Sequence, residues 1–355
     1  MPSEAEVWLE KIRALPRMDV KLMEVCGTHT MSIARAGIKS LLPEGVELLS
    51  GPGCPVCVTP AAAIDAVLAL SSEPGVIVTS YGDMLRVPGS RPGDSLARRR
   101  ALGAQVELVY SPVDAVEIAR QNPKKEVVFL GVGFETTAPG TAAAVLTARE
   151  RGVTNFSVWS MLKTVEPALR ALLRQEDFAV QGFLCPGHVA TIIGAEAFRF
   201  LPGEYRIPAV VGGFEPEEIL HAVYLLLRQL AEGKPQLENA YPRAVSSAGN
   251  RLAQRVMAEC FEPRRDLWRG LGEIDASGLG WRGEFAAFDA EKKFDLRVET
   301  AEGPPGCRCG DVICGRCRPD SCPLFGKRCT PEDPVGPCMV SSEGACAAAY
   351  KYQTV

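Results

Sequence analysis

The cysteines of this chain form two groups that could bind metal or carry electrons. Eight of the thirteen lie between Cys307 and Cys346, and the others include Cys26 and the pair Cys54 and Cys57. Cysteine thiolates bind iron and zinc, and paired thiols exchange with disulfides. Such clustering in a chain of 355 residues predicts metal or redox chemistry rather than packing alone.

The motif Cys54-Pro-Val-Cys57 stands directly before a predicted helix at residues 59–70. A thiol near a helix N-terminus has a lowered pKa, because the positive end of the helix dipole stabilises the thiolate. The spacing allows either a reversible disulfide or two bonds to one metal ion. A tight turn built from two small residues is the alternative, and the loop position favours the redox or metal interpretation.

Cys26 stands three residues before His29, one of only three histidines in the chain. His29 could exchange a proton or raise the thiolate fraction, and Gly27 would let a ligand approach the backbone. We interpret Cys26 as a soft ligand for iron, with a buried apolar cysteine as the alternative. His188 is a further candidate, for which helix capping is an equal alternative.

The C-terminal cysteines allow two kinds of metal site. Cys314 and Cys317, taken with Cys322 and Cys329, could bind zinc. The wider spacings towards Cys346 fit a loop wrapped around a 4Fe-4S cluster better, and such a cluster takes four thiolates. Eight candidates exceed four, so spacing alone does not select the ligands.

Short apolar runs alternate with helical patterns over the first two-thirds of the chain, which predicts parallel sheets flanked by helices. Predicted strands cover residues 21–25, 46–50, 76–80, 127–130, 156–160, 179–184 and 209–211, and later helices cover 165–173, 189–200 and 216–230. Ligands of such sheets bind at the carboxyl ends of the strands. The candidates that follow a predicted strand, and should share one or two clefts, are Cys26, His29, Cys54, Cys57, Asp83, Glu135 and His188.

The predicted fold class is α/β, with two doubly wound, Rossmann-like units and an irregular C-terminal iron–sulfur domain. The first unit covers residues 1–122 and begins with a helix, the second covers 123–240, and the cysteine-rich domain covers 241–355, with residues 121–125 as the linker between the units. The turn from Gly131 to Glu135 lacks the lysine and the spacing of a phosphate loop, so we do not favour nucleotide binding there.

Composition excludes several classes of function. The net charge is −4 and no basic stripe with interleaved aromatic residues is present, so we expect no nucleic-acid partner. No apolar run approaches the roughly 18 residues that span a bilayer, and the N-terminus lacks the apolar core of a signal peptide. We therefore expect a cytoplasmic protein with reduced thiols and no membrane partner.

Taken together, these motifs resemble the HypD family of hydrogenase maturation proteins. The resemblance spans nearly the whole chain and rests mainly on the segments Met23-Glu-Val-Cys-Gly-Thr-His-Thr30, Ser50-Gly-Pro-Gly-Cys-Pro-Val-Cys-Val58, Gly82-Asp-Met-Leu-Arg-Val-Pro88, Gly133-Phe-Glu-Thr-Thr-Ala-Pro139, Pro186-Gly-His-Val189, Ala209-Val-Val-Gly-Gly-Phe-Glu-Pro216 and Met339-Val-Ser-Ser-Glu-Gly-Ala-Cys346. Some relatives carry a second histidine shortly after the one matching His29, whereas Met31 follows Thr30 here.

The resemblance implies a scaffold on which the Fe(CN)2CO group of nickel–iron hydrogenases is assembled. It implies a HypC-type partner that shares the iron and a HypE-type partner that delivers cyanide. By the same resemblance, Cys26 holds iron and the Cys54/Cys57 pair is redox-active. The cysteines assigned to a 4Fe-4S cluster are Cys309, Cys322, Cys329 and Cys346, with Cys338 as the main rival and Cys307, Cys314 and Cys317 as looser matches.

These inferences lead to one hypothesis and two alternatives. The hypothesis is a redox scaffold, with electrons passing from the cluster to the Cys54/Cys57 pair and on to iron at Cys26. The first alternative is an iron–sulfur-dependent protein disulfide reductase, and the second is a zinc-stabilised binding module without a redox role.

Overall fold

The computed structural model describes residues 3–91, 93–296, 298 and 303–352. Its strands are β1 (Val20–Glu24), β2 (Val46–Ser50), β3 (Val76–Ser80), β4 (Val106–Leu108), β5 (Glu126–Gly133), β6 (Phe156–Leu162), β7 (Gly182–Pro186), β8 (Ala209–Gly212), β9 (Leu237–Asn239), β10 (Phe261–Trp268) and β11 (Gly272–Trp281).

Helices lie between these strands and continue after them. They are α1 (Glu4–Arg13), α2 (Gly27–Arg35), α3 (Ile38–Leu41), α4 (Pro55–Val58), α5 (Ala61–Leu70), α6 (Gly82–Leu85), α7 (Leu96–Ala101), α8 (Pro112–Gln121), α9 (Ala138–Glu150), α10 (Val165–Leu173), α11 (Gly187–Ile193), α12 (Phe200–Glu204), α13 (Pro216–Glu232), α14 (Arg251–Cys260), α15 (Ala290–Lys293), α16 (Cys309–Ile313), α17 (Pro337–Val340) and α18 (Ala345–Tyr352), with 3-10 turns at Ala195–Phe198, Gly283–Phe288 and Pro319–Ser321. None of the helices in the described ranges carries an apolar stretch long enough to cross a bilayer.

Two parallel sheets form the body of the protein, which confirms the predicted α/β class. The first sheet has the strand order β2-β1-β7-β8-β9 and the second has the order β4-β3-β5-β6, with every pairing parallel. A doubly wound fold requires helices on both faces of each sheet, and this arrangement stays a prediction. The iron–sulfur domain also stays a prediction.

The sheets do not follow the order of the chain. Strand β1 pairs with β7, so that Leu22 lies opposite Gly182, and the segment between them builds the second sheet. Residues 122–125 join α8 to β5, whose neighbour β3 precedes them in the same sheet. The sequence-based division at residue 122 therefore does not coincide with a boundary between sheets, because an alternating pattern identifies strands but not their neighbours.

Each sheet changes its direction of growth at one point. In the first sheet, β2 lies on one side of β1 and the later strands lie on the other; in the second sheet, β4 and β5 flank β3 in the same way. Where strand order reverses, the loops leaving two adjacent strands diverge and open a crevice at the carboxyl edge. Cys26 follows β1 and His188 follows β7 at one crevice, while Asp83 follows β3 and Glu135 follows β5 at the other.

Two local predictions differ from the structure. The helix predicted at 189–200 ends at Ile193, because Gly194 has a φ of 89° and its Cα faces the Ser247 carbonyl, where a Cβ would lie 2.3 Å from the oxygen. Residues 241–296 are more regular than predicted, since they contain α14 and the antiparallel hairpin β10–β11. Charged residues such as Arg264 interrupt the alternation of β10 and hid this hairpin.

One apolar core joins the parallel sheets to the cysteine-rich segment. Met23 and Phe183 from the first sheet pack in the same cluster as Trp159 from the second. This cluster also contains cysteines from both groups, namely Cys54, Cys57, Cys309, Cys314, Cys329, Cys338 and Cys346. The C-terminal segment is therefore packed onto the body rather than appended to it.

Two cysteines outside both groups, and one histidine, have structural roles. Cys185 and Cys260 are fully buried in apolar clusters. His221 stacks on Trp8, with ring centroids 4.1 Å apart.

Candidate functional site

Cys26 lies at the carboxyl end of β1 and is the N-cap of α2. Its side chain is 7% exposed, and burial raises the pKa of the thiol to about 12, although the backbone N–H groups of His29 and Thr28 oppose the increase. The thiol is therefore protonated at neutral pH. Metal binding there would release the proton, because the thiolate is the ligand.

Cys54 and Cys57 are joined by a disulfide at the start of α4. Cys54 is the N-cap of this helix, and its sulfur accepts a hydrogen bond from the Cys57 N–H at 3.1 Å. Both side chains are buried, with 4% and 0% of their surface exposed. The C-x-x-C spacing thus permits the disulfide that sequence analysis gave as one of two uses.

A close backbone contact places this disulfide beside Cys26. The Gly27 N–H donates to the Gly53 carbonyl at 3.2 Å, and Gly53 directly precedes Cys54. A Cβ on Gly53 would stand 2.2 Å from the Cys26 nitrogen, so only glycine allows the two loops to approach so closely. The two upstream thiol motifs therefore belong to one site.

His29 and His188 both pack against Phe214, a residue that sequence analysis quoted but did not assign to the site. The Phe214 ring centroid is 4.7 Å from that of His29 and 4.0 Å from that of His188. The adjacent Gly212-Gly213 pair, a sign of close backbone approach, was the available signal. Phe214 orients both imidazoles at the crevice between β1 and β7.

His29 is neutral and its free nitrogen is defined by its other hydrogen bond. Burial lowers the pKa of His29 to about 4. Its Nε2 lies 2.8 Å from the Gly213 carbonyl oxygen, which can only accept, so Nε2 carries the proton. The Nδ1 atom is buried and has no hydrogen-bond partner among the described residues. Its lone pair can therefore accept a proton or bind a metal ion.

Glu24 is a buried carboxyl that sequence analysis missed. One of its oxygens accepts a hydrogen bond from the Cys26 N–H at 3.0 Å and the other accepts from the Thr30 hydroxyl. Burial raises the pKa of Glu24 to about 7, while the hydrogen bond from Thr30 acts against the increase. A charged residue inside an apolar strand was the signal in the sequence.

Asp83 and Glu343 connect the two crevices through the C-terminal segment. Asp83 Oδ2 accepts hydrogen bonds from the Ser341 hydroxyl at 3.1 Å and from the Ser342 N–H at 2.9 Å. The next residue, Glu343, accepts from the Thr28 hydroxyl at 3.0 Å. Glu343 was quoted within a family motif but was not chosen as a site residue, because no local pattern shows that it reaches Thr28.

Glu135 belongs to the second sheet and is not hydrogen-bonded to the residues around Cys26. Its Oε1 accepts from the Val165 N–H at 2.9 Å, and its Oε2 is buried without a partner in the described part of the chain. Burial raises the pKa of Glu135 to about 7. Its observed role is to hold the start of α10.

Six cysteines line one small cavity in the C-terminal segment. They are Cys307, Cys309, Cys322, Cys329, Cys338 and Cys346, which include all four of the predicted cluster ligands and the main rival. Cys314 and Cys317 do not line this cavity; the Cys314 thiol lies 3.5 Å from the Gly270 carbonyl oxygen.

The cysteine-lined cavity fits an iron–sulfur cluster in the type and number of its donors. Four thiolates are needed, each on a different iron atom, and six thiols are present. Cys309 and Cys338 share a hydrogen bond, and their sulfur atoms are 2.8 Å apart. Two ligands of different iron atoms lie farther apart than this, so both cysteines could bind the cluster only if their sulfurs separated. Within the described residues, no three His, Cys, Asp or Glu side chains are arranged to hold a single metal ion.

The disulfide lies between the Cys26 loop and this cavity. Helix α4 contacts both α16, which begins at Cys309, and α17, which contains Cys338. Arg269 strengthens the contact, since its guanidinium donates to the Thr59 carbonyl at 2.9 Å and also lowers the pKa of Cys309. The hydrogen bond with Cys338 is the larger cause of that lowered pKa.

The fold and site together define an α/β protein with a thiol-rich crevice and an adjoining cysteine-lined cavity. The family described as "HypD: Hydrogenase formation hypA family" matches residues 3–353. The chain belongs to the HypD family.

Named relatives agree with this assignment. The hydrogenase maturation factor HypD of Rhodobacter capsulatus is 47% identical over 351 residues, which cover 97% of this chain and 92% of the relative. The protein of the same name from Escherichia coli K12 is 45% identical over 335 residues, which cover 94% of this chain and 89% of the relative. A solved 2,3-dimethylmalate lyase aligns over 73% of this chain and 86% of its own, at 13% identity and a TM-score of 0.16, too low to support any argument.

Proposed function

We propose that this chain is a hydrogenase maturation factor on which the Fe(CN)2CO group is assembled. The observation that carries the proposal is the contact between Gly27 and Gly53, which places a candidate iron ligand beside a disulfide. Family membership supports the maturation role, and the curated relatives carry that name.

Cys26 is the proposed ligand of the iron cargo. It stands at a crevice between two parallel strands, where α/β proteins bind their ligands. The neutral His29 has a free buried Nδ1 lone pair three residues away along the chain, and His188 stacks on Phe214, which also contacts His29. These groups supply one soft donor and nitrogen lone pairs. Cys26 and His29 are buried, whereas His188 is exposed at the edge of the crevice.

The Cys54–Cys57 pair is the proposed two-electron store. Reduction of its sulfur–sulfur bond takes two electrons and two protons and yields two thiols. The pair contacts the Cys26 loop on one side and α16 and α17 on the other, which suits electron transfer between the cysteine-lined cavity and the Cys26 loop in either direction. Burial shields the pair from chance oxidants and from external thiols.

The cysteine-lined cavity is the proposed site of a 4Fe-4S cluster. Its proposed ligands, hereafter the four proposed ligands, are Cys309, Cys322, Cys329 and Cys346. When bound, such a cluster supplies single electrons, which a disulfide or dithiol can store in pairs.

Two protein partners complete the proposal. A small HypC-type protein would share the iron, and a HypE-type protein would deliver cyanide, as the family resemblance implies. The reduced thiols that this chemistry needs suit a cytoplasmic location.

The burial of the disulfide disfavours the first alternative. A reductase of external proteins must bring a substrate disulfide within bonding distance of one of its own thiols. Cys54 and Cys57 are 4% and 0% exposed, so a protein substrate could not reach them without a rearrangement. Assembly of a small cargo requires no such access to the pair.

The test is infrared spectroscopy of the anaerobically purified complex with a HypC-type partner. Cys26→Ala is expected to lose the bands of iron-bound cyanide and carbonyl, because a thiolate ligand contributes directly to iron affinity. Cys185→Ala is the matched control, since Cys185 is also buried, in the neighbouring strand β7, but is not a proposed ligand; it should keep the bands.

Three results would contradict the proposal. Bands at full intensity in Cys26→Ala would exclude Cys26 as the iron ligand. Identical alkylation of the Cys54/Cys57 peptide before and after reduction would exclude a redox role for the pair. A colourless, zinc-containing protein would support the zinc-stabilised module instead.

A further inference from the structure

Cys26 is covered by a loop from the far end of the chain. Only 7% of the cysteine is exposed, although the proposed function requires cargo to reach it. A Cβ on the adjacent Gly27 would lie 2.3 Å from the Glu343 Cβ and 2.9 Å from the Glu343 carbonyl oxygen. The Thr28 hydroxyl also donates to Glu343. The residues Ser341–Glu343, hereafter the covering loop, therefore rest directly on the Cys26 turn.

Asp83 holds the other end of the covering loop. Its Oδ2 accepts three hydrogen bonds, from the Ser341 hydroxyl at 3.1 Å, the Ser342 N–H at 2.9 Å and the Ser342 hydroxyl at 3.0 Å. Ser341 is 1% exposed, and its hydroxyl also accepts from the Glu343 N–H at 3.1 Å. Asp83 thus fixes the backbone that carries Glu343.

We propose that Asp83 is a positioning residue that keeps the covering loop over Cys26 and thereby controls access to the thiol. Asp83 follows β3 of the second sheet and Cys26 follows β1 of the first, and the covering loop contacts both. Release of the serines from Asp83 frees the loop to leave the Cys26 turn, after which cargo or a partner can reach the sulfur. The inference rests on the proposed function only for the identity of the cargo.

The position of the covering loop relates this access to the cysteine-lined cavity. Cys338 lies three residues before Ser341, and Cys346 lies three residues after Glu343. Both cysteines line the cavity. A movement of the covering loop therefore pulls on two cavity cysteines, and a change at the cavity shifts the loop over Cys26.

The test is the alkylation rate of Cys26 in the full chain, purified anaerobically without partners. N-ethylmaleimide is added for increasing times, and the labelled fraction of each cysteine peptide is measured by mass spectrometry. Asp83→Ala is expected to label Cys26 at least about tenfold faster than the wild type, because hydrogen bonds to a carboxylate oppose local opening. Asp83→Asn keeps an acceptor oxygen for the serines and should stay within about threefold of the wild type.

Internal and external controls separate local opening from general unfolding. Cys185 and Cys260 are fully buried elsewhere and should label at wild-type rates in every variant. Asp94→Ala removes another aspartate that accepts hydrogen bonds, in this case from Arg99 at 2.9 and 2.6 Å. It should leave the labelling rate of Cys26 unchanged. Thr28→Val releases the opposite end of the covering loop and should also speed the labelling of Cys26.

Three outcomes would overturn the inference. These are an unchanged Cys26 labelling rate in Asp83→Ala, an equal rise in the labelling rates of Cys185 and Cys260, or a rise in the Cys26 rate in Asp83→Asn as large as in Asp83→Ala. The last result would indicate that the charge of Asp83, rather than its hold on the loop, is what matters. Because labelling needs no iron, it can fail while the infrared test of the proposed function succeeds, and the reverse.

Discussion

Gly53→Ala is expected to force the Cys26 loop away from the Cys54–Cys57 disulfide. The new methyl carbon would lie 2.2 Å from the Cys26 nitrogen and 2.5 Å from the Cys26 Cα. Both are backbone atoms, so neither can turn aside as the end of a side chain would. Unbonded carbon atoms pack at about 3.5–4.0 Å, so the two loops must part by roughly 1 Å or more.

The size of the effect follows from the contacts that this movement breaks. Overpacking of a close-packed site costs about 1–3 kcal/mol, and loss of the Gly27 hydrogen bond to the Gly53 carbonyl costs about 1 kcal/mol more. Alanine also restricts the unfolded chain, which offsets about 0.4–1 kcal/mol. The net loss in the free energy of unfolding is therefore about 1–4 kcal/mol.

Urea unfolding followed by circular dichroism measures this loss, with Gly140→Ala as the matched control. Gly140 lies in α9, and a Cβ there would meet no heavy atom within 4 Å. Gly140 is in the first turn of α9, and alanine forms helices better than glycine by up to about 1 kcal/mol, so the control should unfold at no lower a urea concentration than the wild type. If Gly53→Ala unfolds at the same urea concentration as the wild type, the loops are not in the contact described and the reasoning is wrong.

Two further predictions concern the cysteine-lined cavity and a buried carboxyl. Cys346→Ala should remove the brown colour of anaerobically purified protein, whereas Cys317→Ala should keep it, because Cys317 lies outside the cavity. If Cys346→Ala kept a full cluster and Cys338→Ala lost it, the assignment of the four proposed ligands would be wrong. Burial raises the pKa of Glu135 from 4.5 to about 7, so stability falls as pH rises through that window, where the folded state still holds a proton that the unfolded state has lost. Glu135→Gln should therefore gain up to about 3 kcal/mol in the free energy of unfolding relative to the wild type between pH 5 and pH 8. An equal difference at the two pH values would refute this explanation.

Local spacing in the sequence was sufficient to place several elements. The strands predicted at 46–50 and 76–80 and the helix predicted at 165–173 have the observed bounds of β2, β3 and α10. Each is a short run whose apolar pattern depends on its own residues. The break at Gly194 and the β10–β11 hairpin were not predictable in this way, because close approach by a distant segment or a polar strand leaves no periodic signal.

By itself, the sequence determined which residues could do chemistry at the end of a strand. Cys26 and His29, and likewise Cys54 and Cys57, are three residues apart, so their proximity is a property of one turn of chain. Positions at the carboxyl ends of parallel strands meet at one edge whatever the strand order, which is why the candidates of one sheet could be grouped in advance.

Only the tertiary structure decided which of these groups share a site. The pairing of β1 with β7 brings His188 to Thr28 beside Cys26, and the folding back of the C-terminal segment brings Glu343 to Thr28 and Ser341 to Asp83. These contacts join residues more than 150 positions apart along the chain. Their free energy comes from burial of one common core, a property of the whole chain that no local pattern of residues encodes.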